Sequence, residues 1–151
     1  MRPLVTAQMP IAKPRTITGP QFKSYSTNSD IEGEQEKAQK AVPVEDTIFD
    51  KIVRKEIPAD IIYEDEVCLA FRDVAPVAQI HFLVIPKDRD GLSQFSKAET
   101  RHKDLLGHLM IVASQVARQQ GLGESGFRTV INDGKQGCQS VYHLHIHVIG
   151  G

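Results

Sequence analysis

Three histidines stand at alternate positions in His143-Leu144-His145-Ile146-His147-Val148-Ile149, and they are half of the six in the chain. In an extended strand the side chains alternate between faces, and same-face neighbours lie roughly 7 Å apart. His143, His145 and His147 then form one row, while Leu144, Ile146 and Val148 point the other way into a core. A merely solvated strand face has no reason to carry the same titratable residue three times. Two chemistries do. His-x-His on a strand can bind zinc at about 2.0–2.1 Å, and His81 is the obvious fourth ligand for a structural site. The other chemistry is nucleophilic catalysis. Neutral imidazole attacks well near pH 7 because its unperturbed pKa is about 6.5, and a backbone carbonyl or second histidine can fix its tautomer.

The residues ahead of the row favour the nucleophile. Gly137-Cys138-Gln139-Ser140-Val141-Tyr142 holds two side chains with hydrogen-bonding groups, Gln139 and Ser140. A glycine-rich turn can also aim backbone N–H groups at phosphate oxygens. Such donors suit an oxyanion better than a cation.

The elements that must position these residues begin near Glu45. Ile48, Phe49, Ile52 and Val53 have helical spacing behind a cap at Asp46 or Thr47, and Ile57-Pro58 ends that helix. Ile61–Tyr63 and Val67–Phe71 read as a hairpin, and His81–Ile85 as a third strand stopped by Pro86. Ser96-Lys97-Ala98-Glu99 has the form of a capping box, which predicts a helix starting there. Leu105, Leu106, Leu109, Val112, Val116 and Ala117 give that helix an apolar stripe, and Gly121 a stop. Phe127–Asn132 and His143–Ile149 complete five strands. With few parallel crossovers they predict an α+β fold, a mainly antiparallel sheet with its helices on one side.

The 151 residues suffice for one domain, and 40% hydrophobic with 25% charged residues is ordinary for a globular protein. A formal net charge of −1 argues against a nucleic-acid binder relying on a basic field. No apolar run approaches the ~20 residues of a membrane helix. Cys68 and Cys138 lie in contexts that suit free thiols. From Met1 to Ser29 there is no acidic residue, while Arg2, Lys13, Arg15 and Lys23 are basic and Ser and Thr are frequent. That is transit-peptide composition, plastid or mitochondrial, with a cytoplasmic tail as the alternative. Asp30 to Val44 is polar and reads as linker. Residues 1–43 are therefore expected to be leader and linker, and residues 44–151 the folded domain.

The triple-histidine segment resembles the His-φ-His-φ-His-φ-φ signature of the histidine triad (HIT) family. Asp46-Thr47-Ile48-Phe49, Ile57-Pro58-Ala59, Leu69-Ala70-Phe71-Arg72-Asp73, His81-Phe82-Leu83-Val84-Ile85-Pro86-Lys87 and Gln139-Ser140-Val141-Tyr142 resemble its Hint branch. Arg89-Asp90-Gly91-Leu92, Ser96-Lys97-Ala98-Glu99 and Ile131-Asn132-Asp133-Gly134 look most like plant-type members. The resemblance implies a HIT-like fold with two helices, whose sheet continues across a homodimer. It implies hydrolysis of purine nucleoside phosphoramidates, such as AMP joined to an amine, and related cleavage of adenylyl sulfate. His145 would form a nucleotidyl intermediate. His143 and His147 would shape the phosphate site, with His81 as a fourth active-site histidine. Asn132, Gln139 and Ser140 match positions near the phosphate and leaving group. Asp73 matches the carboxylate that takes the ribose hydroxyls. Ile48, Phe49, Ile52, Phe71 and Val74 match the apolar slot for the base.

The sequence departs from the family in two places. Some members carry a Cys-x-x-Cys near Thr47 and a histidine near Arg89 that bind zinc. Here Asp46, Phe49 or Asp50 and Arg89 stand there, so neither metal nor cofactor is expected. Hint proteins normally continue past the two glycines with a tail rich in aromatic residues and proline. That tail is absent from this sequence, which by the resemblance bears on substrate selectivity and dimer geometry. Two other functions compete with the enzyme: a nucleotide-sensing or protein-binding module without turnover, and a metal-binding protein built on the histidine row.

Overall fold

A computed structural model of the chain describes residues 28–151. Its centre is a sheet of β1 (Ile61–Glu64), β2 (Cys68–Arg72), β3 (Ile80–Pro86), β4 (Arg128–Val130) and β5 (Ile146–Gly150). The spatial order is β1-β2-β3-β5-β4, and every pairing is antiparallel. The strand pattern predicts this architecture, although β4 and β5 are shorter than expected.

The sheet is covered on both faces, and β3 shows why. Phe82 and Val84 enter one core together with Leu144, Ile146 and Val148. Leu83 and Ile85, one residue out of phase, enter a second core with Leu69 and Phe71. The long helix α3 (Lys103–Gln119) closes the first core with Leu109, Val112, Ala113, Val116 and Ala117. The short helix α2 (Ile48–Val53) closes the second with Phe49 and Ile52. The helices thus lie on both faces rather than one, because the central strands are apolar on both sides.

Two predicted boundaries move for identifiable reasons. The α3 helix starts at Lys103, after two short 3₁₀ turns at Phe95–Lys97 and Thr100–His102. Ser96 does not cap it. The Ser96 backbone N–H and hydroxyl both donate to the Asp133 carboxylate, at 3.2 and 3.1 Å. The Glu99 N–H is taken by His102 Nδ1 at 3.0 Å. Gly121 ends the helix as expected, with φ +90° and its N–H on the Arg118 carbonyl. Strand β5 starts at Ile146, so His143, Leu144 and His145 precede the ladder, after a bend at Val141–His143 and held by a bond from the Leu144 N–H to the Leu92 carbonyl at 3.2 Å.

Part of the expected linker is helical. The helix α1 spans Asn28–Lys40, carries a Glu36–Lys40 ion pair one turn apart, and buries Ala38 completely. Its polar sequence has no apolar stripe to betray it. Residues 1–27 of the leader expected over Met1–Ser29 lie outside the described residues.

Candidate active site

The site is the strip where the β2–β3–β5 face meets the N-terminal end of α2. Thr47 caps α2. Its hydroxyl accepts from the Asp50 N–H at 3.3 Å, while the Asp50 carboxylate accepts from the Thr47 N–H and hydroxyl, both at 2.7 Å. This fixes the helix so that Phe49 stands edge-on to Phe71 at 5.6 Å, to His143 at 5.9 Å and to His145 at 5.2 Å.

The rings of His81, His147 and His145 meet in succession, at 5.2 and 5.0 Å between centroids, while His143 turns to the Pro86 carbonyl and does not line the cavity. His143 is fully buried, and His81, His145 and His147 nearly so. His81 pairs in register with Ile149, and His147 with Leu83, so the two imidazoles are diagonal neighbours on one face. Their rings meet, with His81 Nε2 and His147 Nδ1 2.9 Å apart. Asp73 stands beside them, with Oδ2 3.3 Å from His81 Nε2 and 3.8 Å from His147 Nδ1.

Hydrogen-bond partners assign the protons. The Val77 N–H donates to His81 Nδ1 at 3.2 Å, which makes Nε2 the protonated nitrogen of His81. That nitrogen donates to His147 Nδ1, so His147 carries its proton on Nε2. Among the described residues His147 Nε2 is buried without a partner. A chain that begins at a backbone amide therefore ends in an unpaired donor in a cavity wall. His145 Nδ1 lies 2.8 Å from the His143 carbonyl, which can only accept. Nδ1 is therefore protonated, and Nε2 keeps its lone pair.

Burial keeps these imidazoles neutral. It is the main cause that lowers His145, partly opposed by the His143 carbonyl. Burial, then His145 and His81, pushes His147 down to about 3. Burial likewise lowers His81 against the pull of Asp73, and lowers His143 against the Pro86 carbonyl and Asp50.

His145 and His147 open onto a cavity of about 630 Å³, within the usual range for a nucleotide-sized ligand. Phe49, Ile52 and Phe71 form its apolar wall, half-exposed Ile48 and fully exposed Val74 its rim, and Asp73 and Ser140 its polar lining. Sequence reasoning missed Leu83, Val141, the Ala75-Pro76-Val77 turn, and Gly33 and Lys37 of α1. Only the β-strand alternation of Leu83 carried a usable signal.

Two expected phosphate-side residues are placed differently. Gln139 is buried and does not line the cavity. Its amide nitrogen donates to the Ser93 and Val141 carbonyls at 2.7 and 3.0 Å, and its oxygen accepts from the Gly134 N–H at 2.9 Å. Asn132 donates to the Cys138 carbonyl at 3.2 Å and also lies off the cavity wall. Both brace the loop that presents Ser140, since their amides satisfy backbone groups of the turn. Gly137 is required there, since a Cβ would stand 2.3 Å from the Asp133 carbonyl oxygen.

The HIT domain family matches residues 54–151. The chain belongs to the HIT family. An Arabidopsis thaliana protein named adenylylsulfatase HINT1 is 59% identical over 119 residues, covering 78% of this chain and 80% of that protein. A Zea mays protein named 14 kDa zinc-binding protein is 54% identical over 121 residues, 80% of this chain and 94% of its own. The crystal structure of a HIT family hydrolase from Legionella pneumophila superposes with a TM-score of 0.67 at 40% identity, over 70% of this chain and 93% of that one.

The name of the maize relative makes zinc a question of fit. Among the described residues two groups of three potential ligands converge: Asp73, His81 and His147, and Asp65, Cys68 and His108. In the first group the two imidazoles already bond each other, and a closed structural zinc takes four ligands. In the second, Asp65 already accepts from the Val67 and Cys68 N–H groups and the Tyr63 hydroxyl. Burial also pushes the Cys68 thiol up to about 12, against the thiolate that zinc requires. Both cysteines are free. These residues do not fit a resident zinc.

Two outcomes follow from this geometry. Elemental analysis after dialysis is expected to give well under one zinc per chain. A retained equivalent that disappears in His81→Ala would reverse that expectation. Gly137→Ala is expected to force the Asp133–Gln139 loop to shift, destabilising the fold by about 1–3 kcal/mol. The check is a thermal unfolding midpoint lowered by several degrees, and an unchanged midpoint would contradict the close approach.

Proposed function

We propose that the chain hydrolyses purine nucleoside 5′-phosphoramidates to the nucleoside monophosphate and an amine, and also cleaves adenylyl sulfate. One observation carries the reading: His145 has a neutral, pre-oriented Nε2 lone pair at the wall of a nucleotide-sized cavity, next to the free donor of His147. The sulfate substrate class is supported by the Arabidopsis relative's name. The catalytically silent alternative, a nucleotide-binding or protein-interaction module, would need a different use for that lone pair.

The chemistry runs in two displacements. His145 Nε2 attacks phosphorus, the Nε2–P bond forms, and the P–N bond of the substrate breaks. The departing amine takes up a proton, and Ser140 or a nearby histidine is placed to deliver it. His147 Nε2–H donates to a phosphoryl oxygen as negative charge grows. Water then attacks phosphorus and returns a proton to the group that served the amine, the Nε2–P bond breaks, and the nucleotide leaves. The base would lie between Ile48, Phe49, Ile52, Phe71 and Val74. Asp73 would take the ribose hydroxyls with the carboxylate that also steadies His81.

The same proposal includes a homodimer and an organellar address. The dimer is supported by β4, which among the described residues is an edge strand bonded to β5 alone, and by exposed Met110 and Ile111 on α3. The address, plastid or mitochondrion, is supported by the basic, acid-free composition of residues 1–29.

His145→Ala is expected to abolish turnover of adenosine phosphoramidates and adenylyl sulfate while nucleotide binding, followed by calorimetry, changes little. Mass spectrometry of quenched wild-type reactions should find the nucleotide on His145. Retained activity in the variant, or an adduct that maps elsewhere, sinks the mechanism. Nucleotide binding without any turnover by the wild type would favour the module instead. Residues 1–43 fused to a fluorescent reporter are expected to direct it to an organelle, and a uniformly cytosolic reporter would refute the address.

A further inference from the structure

Arg89 and Asp50 lie outside the cavity and take no part in the chemistry above, yet they converge on the segment that carries the nucleophile. The Arg89 guanidinium donates to the Tyr142 carbonyl at 2.8 Å through Nη1 and to the Glu45 carbonyl through Nη2. Nη2 also stands 3.6 Å from Asp50 Oδ2. The other oxygen of that carboxylate, Oδ1, lies 3.2 Å from His143 Nδ1. His143 Nε2 faces the Pro86 carbonyl at 2.9 Å, so the single proton of the neutral ring lies between two acceptors, that carbonyl and the Asp50 carboxylate. Thr47 Oγ1 is also near His143 Nδ1, at 3.5 Å.

We propose that the Arg89–Asp50 pair is a positioning device for His145, acting through the ring and the peptide of His143. His143 and His145 precede the β5 ladder, so strand hydrogen bonds do not hold them. The His143 ring sits between Asp50 and Pro86, with its one proton available to either acceptor. What holds the peptide just before His143 is Arg89. The His143 carbonyl in turn fixes His145 Nδ1 at 2.8 Å. One guanidinium thus ties the start of α2 to the nucleophile's own segment, which suits a planar group with several donors and no acceptor. The Thr47 N–H and hydroxyl hold the Asp50 carboxylate in place. Burial tends to raise Asp50, but the two Thr47 bonds together with His143 and Arg89 hold it below the ordinary carboxylate value.

This inference rests on the proposed catalytic role of His145, and its test has an arm that needs no substrate. The variants are Asp50→Asn, which keeps shape and cap acceptor but loses charge, Arg89→Met, and Arg89→Lys. The first arm is nitrogen-15 NMR of the histidine rings of the full chain, reading the solvent exchange of the His145 Nδ1 proton. Asp50→Asn and Arg89→Met are expected to exchange it at least about tenfold faster, with Arg89→Lys partly rescued. The second arm is steady-state kinetics with adenosine phosphoramidate. A misplacement near 1 Å can cost about 100-fold, so kcat is expected to fall on the order of tenfold or more while KM stays within about twofold. Unchanged exchange of the His145 proton overturns the proposal whatever the activity does. A kcat within about twofold of wild type in both Asp50→Asn and Arg89→Met overturns it as well. If the wild type hydrolyses nothing, the functional reading falls, and the NMR arm alone decides whether the pair orders His145. If Asp50→Asn does not fold, the two Arg89 variants carry both arms.

Discussion

The bond from His145 Nδ1 to the His143 carbonyl is the constraint on which the site depends. It selects one of two tautomers and leaves the other nitrogen as the only place for a nucleophilic lone pair. The neighbouring structure serves that bond. Phe49 fixes the plane of the His145 ring edge-on, and burial keeps the ring neutral. The start of the strand only at Ile146 is what lets a residue accept from the side chain two positions on, a geometry that a continued strand would deny by pointing that carbonyl into the ladder.

The second constraint is the two-sided sheet. Alternation on β3 and β5 sends one set of residues under α3 and the other towards α2. The apolar half of the α2 face becomes the cavity wall, and the polar half is the histidine set with Asp73. Core and site therefore share one surface, and packing of Leu83 and Phe71 beneath the cavity sets the height at which a bound base would rest.

Much of this was legible in the sequence. The His-x-His-x-His alternation located the site, since few patterns other than chemistry repeat a titratable residue on one strand face. The apolar stripe of α3 and the hairpin of β1 and β2 were equally readable from periodicity. What was not legible depended on distant partners. Ser96 has the form of a helix cap, but Asp133, thirty-seven positions away, claims it. Gln139 reads as a phosphate donor until its amide is seen satisfied by three backbone groups. Arg89 was noticed only as a residue that is not histidine, and its bonds to Glu45, Asp50 and Tyr142 bridge more than forty positions each way except to Asp50. Helix α1 gave no periodic signal because its sequence is polar, and among its described side chains the buried one is the small Ala38.

The diagonal meeting of His81 and His147 has a consequence for insertions and deletions. Pairing alternates with a period of two, so one residue added between His145 and Ile149 would turn His147 towards α3 and bring an aliphatic chain to the cavity. The same single residue added in the exposed Lys135–Gln136 turn would leave every strand register intact. Length variation in proteins built on this plan should therefore gather in the loop ahead of the histidines and stop abruptly where the row begins.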